Sequence, residues 1–60
     1  MPIVEVKMWS GRTEEQKEQI IQGITKVLED VGVPAEKTTV IITDYPKSNW
    51  GTKGVQASKL

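Results

Sequence analysis

The chain has 60 residues; its eight acidic and eight basic side chains cancel to a net charge of zero, and it contains neither Cys nor His. A domain of that size buries only about 60% of the surface its unfolded chain exposes, and neither a disulfide nor an ordinary zinc site is on hand to staple it. The charge balance supplies no field for a nucleic acid or an anionic membrane, and no apolar run approaches the ~20 residues of a membrane span. The first residues carry an acid at Glu5 and no long apolar segment, which argues against a secretory signal. The expectation is one cytoplasmic domain over residues 1–60, a compartment with which the missing cysteines are compatible.

Residues 3–8 alternate. Val4, Val6 and Met8 fall on one side and Glu5 and Lys7 on the other, with Ile3 and Trp9 as apolar bookends. That two-residue period predicts a half-buried strand, broken at Ser10-Gly11. From Thr13 the period changes. Thr13 with Gln16 forms a capping-box pattern, and Glu14 and Glu15 suit the positive end of a helix dipole. Ile20, Ile24, Val27, Leu28 and Val31 then share one helical stripe with Ile21 at its edge, while charged residues, Lys17 among them, lie mostly off it. Gly32 fits a left-handed stop and Pro34 follows it. Gly23 costs a helix about 1 kcal/mol against Ala, so a packing reason is expected there.

Residues 38–43 are β-branched throughout and predict a second, more fully buried strand, ended by Tyr45-Pro46. Asn49, Gly51 and Gly54 around Trp50 predict a loop or small hairpin. The fold class is therefore α+β: one β-α-β unit with parallel strands, a right-handed crossover and a small C-terminal hairpin. One helix over two strands leaves both sheet edges open and one sheet face uncovered, which predicts an obligate oligomer.

Without His or Cys the common general base and thiol nucleophile are excluded. No G-x-S-x-G, phosphate-binding Gly loop or acidic cluster at metal spacing is present, so an enzyme built on this chain needs an unusual base. Pro2 stands out. With Met1 removed it becomes a secondary amine in a class of group that titrates at about 7.7–8.0 in models, and apolar burial beside a cation lowers it further. The plain alternative is that Pro2 only opens a strand. Arg12, the chain's single arginine, sits ahead of the helix, where it either grips a substrate carboxylate or pairs with Glu14 or Glu15 in solvent. Trp50 either walls a pocket or fills a subunit interface, and Trp9 has the same two readings. Lys7, Lys37, Lys47 and Lys53 read most simply as solvated charges.

Met1-Pro2-Ile3, the stretch Ser10-Gly11-Arg12-Thr13-Glu14-Glu15-Gln16-Lys17-Glu18, then Val40-Ile41-Ile42-Thr43-Asp44, Trp50-Gly51-x-x-Gly54 and Ala57-Ser58-Lys59 occur in this order. Together they resemble the 4-oxalocrotonate tautomerase family over essentially the whole chain. The resemblance implies β-α-β protomers that join their sheets in pairs, three such dimers making a hexamer. It also implies an enzyme needing no cofactor or metal, which carries a proton from the 2-hydroxyl of 2-hydroxymuconate to carbon five. On that resemblance Pro2, freed of Met1, is the general base and Arg12 holds the distal carboxylate. Trp50 replaces the usual pocket Phe, and the site draws on different subunits. One departure is Thr39, at the substrate-binding position where dienoate-processing members carry a second arginine; Lys37 is close in sequence, but on the opposite face from Thr38 if the strand already begins there. Two alternatives stand beside the tautomerase: a non-enzymatic oligomeric module of the same fold, and a proline-based hydratase or dehalogenase of unsaturated acids.

Overall fold

The computed structural model describes residues 2–60, so the expected loss of Met1 concerns a residue outside the described range. Strand β1 (Ile3–Trp9) leads to helix α1 (Glu14–Asp30) and strand β2 (Thr39–Tyr45), and a hairpin of β3 (Gly51–Thr52) and β4 (Val55–Gln56) follows. Single 3-10 turns at Ala35–Lys37, Lys47–Asn49 and Ala57–Lys59 fill the connections. β1 and β2 pair in parallel from Ile3 beside Thr39 to Trp9 beside Tyr45. The expected β-α-β unit with a C-terminal hairpin is borne out.

Strand parity sorts the side chains. Val4, Val6 and Met8 of β1 and Val40, Ile42 and Asp44 of β2 are half-buried, while Ile3, Glu5, Lys7, Trp9, Thr39, Ile41 and Thr43 are exposed. The apolar bookends Ile3 and Trp9 thus lie on the open face. The β-branched run predicts a more fully buried β2 that starts at Thr38, and the structure corrects both expectations. Thr38 closes the preceding 3-10 turn instead, its N–H donating to the Ala35 carbonyl at 3.1 Å and its hydroxyl to that of Pro34 at 3.2 Å. Lys37 therefore belongs to that turn and not to the strand. The run is β-branched on both faces, but its outward side is Thr39, Ile41 and Thr43, and within one protomer only the side of Val40 and Ile42 has a layer over it.

The helix starts and stops where its sequence directs. Gln16 N–H donates to the Thr13 hydroxyl at 3.1 Å and Thr13 N–H to the Gln16 side-chain oxygen at 3.0 Å, completing the capping box. At the other end Val33 N–H reaches the Leu28 carbonyl at 2.9 Å and Gly32 N–H that of Glu29 at 3.0 Å, a Schellman closure that puts Gly32 at φ +99°. A Cβ on Gly32 would meet nothing within 4 Å. Gly32→Ala is therefore expected to destabilise by about 1 kcal/mol through backbone strain alone, read as a lower thermal midpoint; an unchanged midpoint would contradict the closure.

The stripe is narrower than expected. Ile20, Ile24 and Leu28 are half-buried, whereas Val27 and Val31 remain 62% and 73% exposed. Lys17, expected mostly off the stripe, is half-buried and ion-pairs with Asp44 at the end of β2. Space is also open around Gly23, where an added Cβ would find no neighbour within 4 Å, so the packing reason expected for it is absent within the protomer.

Ala57, at 5% exposure, is the one buried apolar residue among those described. The accessible surface is 4813 Å², against about 3,900 Å² for a folded monomer of this mass. The radius of gyration is 14.3 Å, against about 10 Å for a compact domain of this length. Val27, Val31, Ile3 and Ile41 are among the apolar residues that this excess surface exposes. No helix is long and apolar enough to cross a membrane among the described residues.

Candidate active site

The parallel pairing gives the sheet a starting end and a finishing end, and the site residues expected from sequence divide between them. At the starting end Pro2, half-buried, leads into β1, and its carbonyl accepts the Thr39 N–H at 3.1 Å. That bond locks the proline to the first residue of β2. The strand-opening role of Pro2 is thus real, and it also fixes the ring's position beside Thr39.

At the finishing end the backbone leaves β1 through Ser10, whose N–H donates to the Tyr45 carbonyl at 2.8 Å. Gly11 then turns the chain at φ +128°, a conformation that favours glycine, and delivers Arg12 one residue ahead of the Thr13 cap. Met8, Trp9, Ser10, Gly11, Arg12 and Lys47 line an open groove of about 290 Å³, at the small end of the usual range for small-molecule pockets. Arg12 does not pair with Glu14 or Glu15; the ion pairs among the described residues are Lys17–Asp44 and Lys26–Asp30. Its guanidinium is left available to an anion.

Trp50 is half-buried and meets Trp9 edge-to-face, with ring centroids 5.9 Å apart, and Tyr45 at 6.1 Å. The Ala57 N–H donates to the Trp50 carbonyl at 2.7 Å and the Gln56 amide to that of Ser48 at 2.9 Å, so the hairpin holds the ring in place. Trp50 therefore supports Trp9, which lines the groove itself. Lys47 stands with its ammonium 4.7 Å from the Trp9 ring centroid, a cation–π placement. The sequence alone leaves Trp9 undecided, presents Lys47 as solvated and gives Tyr45 no role beyond ending the strand. Register is the signal that pairs Trp9 with Tyr45, because parallel strands of equal length bring the last residues of β1 and β2 side by side; Lys47 joins them from the turn that follows β2.

The two ends are far apart. Seven residues of β1, rising about 3.3 Å each, separate Pro2 from Arg12 by about 20 Å within one protomer. Pro2 and Thr39 are brought together, and so are Arg12 and the aromatic cluster, but the two groups are not. No small substrate spans that distance.

The model of the family described as tautomerase enzymes matches residues 2–59. The 2-hydroxymuconate tautomerase of Comamonas testosteroni is 46% identical, with all of this chain and 97% of that protein covered. Among solved structures, one of the 4-oxalocrotonate tautomerase isozymes from Methylibium petroleiphilum superposes with a TM-score of 0.86 at 45% identity, covering 95% of this chain and 94% of that one. An apo unfused 4-OT superposes with a TM-score of 0.93 at 33% identity, each chain covered in full. The fold, the family model and the full-length matches lead to one conclusion: the chain belongs to the tautomerase family and is an isomerase of the 4-oxalocrotonate tautomerase class.

Proposed function

We propose that the protein converts a 2-hydroxydienoate such as 2-hydroxymuconate to its α,β-unsaturated ketone, with the Pro2 nitrogen, exposed once Met1 is removed, carrying the proton. The amine takes the proton of the 2-hydroxyl, the electron pairs shift along the diene, and carbon five receives the proton back from the ammonium. Nothing else is gained or lost. Such a shuttle needs a base that both accepts and donates near neutrality, which a prolyl amine in an apolar setting supplies. Arg12 takes the distal carboxylate and draws the developing negative charge toward itself. Trp9 and Trp50 keep that end of the site apolar, and Thr39 lies against the proximal end beside Pro2.

The observation that carries this reading is the separation of Pro2 from Arg12 along β1. A site using both must be built from two protomers. Two copies related by a two-fold axis pair like edges antiparallel, which sets the starting end of one sheet near the finishing end of the other. The large exposed surface and the scarcity of buried residues within a protomer support an assembly of this kind, and three such dimers give the hexamer implied by the family resemblance.

The test is ketonisation of 2-hydroxymuconate followed by the loss of enol absorbance, with sedimentation measured on the same samples. The enzyme is expected to sediment as an oligomer and to accelerate ketonisation, and turnover per chain is expected to fall together with the oligomer on dilution. Full turnover by a monomer would contradict the shared site.

A further inference from the structure

We propose that Lys47 is a second substrate-binding cation, closing on the same carboxylate that Arg12 holds. The inference rests on the carboxylate role given to Arg12 above and adds a residue to it. Lys47 lines the Arg12 groove, and no acid neutralises either cation among the described residues. Its ammonium is not adrift. It sits on the face of Trp9 at 4.7 Å, and that ring is in turn braced by Trp50. The backbone beneath it is fixed as well, because Asn49 N–H donates to the Pro46 carbonyl at 2.9 Å and Trp50 N–H to that of Lys47 at 3.2 Å.

Two unpaired cations facing one small groove repel each other, and an anion between them removes that repulsion. A carboxylate bound side-on by a guanidinium still has lone pairs to offer, and an ammonium on a flexible stem suits those as a point charge. The starting end of the sheet has the uncharged Thr39 beside Pro2. Arg12 and Lys47 thus offer two cations to one groove at the finishing end, and the ligand class is an organic acid gripped there by one carboxylate.

The experiment compares wild type with Lys47→Gln and Lys47→Arg in two assays: KM and kcat for 2-hydroxymuconate, and binding of adipate by titration calorimetry. Adipate is a six-carbon dicarboxylate that has no enol to convert. Lys47→Gln is expected to weaken adipate binding and raise KM by about tenfold, the loss of one charge-assisted contact, while kcat stays within about twofold. Lys47→Arg is expected to restore most of both. A merely structural Lys47 would lower the thermal midpoint without splitting KM from kcat, and that result overturns the inference. So does adipate that fails to bind wild type, or binds all three proteins alike. Lys47-dependent adipate binding in a protein without tautomerase turnover would leave the inference standing and remove the function proposed above. Active wild type with an unaltered Lys47→Gln variant would do the reverse.

Discussion

Acetylating the Pro2 nitrogen, in a chain made by chemical synthesis without Met1, is expected to lower kcat by about 10²–10⁴-fold, the range of a lost general base. The ring, its hydrogen bond to Thr39 and the strand it opens all survive acetylation, because the modified atom is not the carbonyl that Thr39 binds. The nitrogen loses its useful basicity on becoming an amide, and the acetyl group also takes up space beside it. Pro2→Ala is the milder counterpart. It leaves a primary amine at the same place and is expected to retain partial turnover. With the free amine, kcat/KM is expected to rise with pH through a pKa below the ordinary α-amino range of about 7.7–8.0 and then to level off. Equal turnover before and after acetylation would exclude the nitrogen from proton transfer.

Arg12→Ala is expected to lower kcat by about 10²–10³-fold, the loss found when a donor aimed at developing charge is removed. The chain has no other arginine, and Arg12 engages no acid of its own protomer among the described residues, so folding is expected to change little. The split between kcat and KM decides what the guanidinium does. A fall confined to kcat means that it draws charge in the transition state; a rise confined to KM means that it only binds. Lys47 stays in the groove of this variant and keeps some affinity for the carboxylate, so kcat is expected to suffer more than KM.

Much of the local structure is legible in the sequence because each device is encoded within a few residues. The Thr13–Gln16 box, the Gly32 stop and the alternation of β1 each use one period or one turn chemistry, and all three appear as expected. Burial is harder to read. Val27, Val31 and Ile41 have the apolar character of covered surface, yet the protomer leaves them open. A hydrophobic pattern records what is covered in the final assembly and does not say which chain covers it. The half-buried Lys17 escapes a sequence reading for a related reason, since its partner Asp44 lies 27 residues away and no helical period reveals it.

The site divides the same way. Pro2, Arg12, Thr39 and Trp50 can be singled out one at a time by their chemistry or by resemblance. That they form two groups at opposite ends of β1 follows only from the parallel register. Trp9, Tyr45 and Lys47 join the second group because β1, β2 and the turn at Lys47–Asn49 converge there.

Mixing two inactive proteins probes the shared site without any structural intermediary. N-acetyl-Pro2 chains are unfolded together with Arg12→Ala chains in equal amounts, refolded, and assayed for ketonisation. Each native half-site then meets its complement in about a quarter of the pairings, so turnover is expected to return to about a quarter of wild type. Turnover that stays at the level of the two parents, in a refolded mixture whose oligomers contain both chains, would mean that one protomer supplies both Pro2 and Arg12 to each site, contrary to the separation along β1.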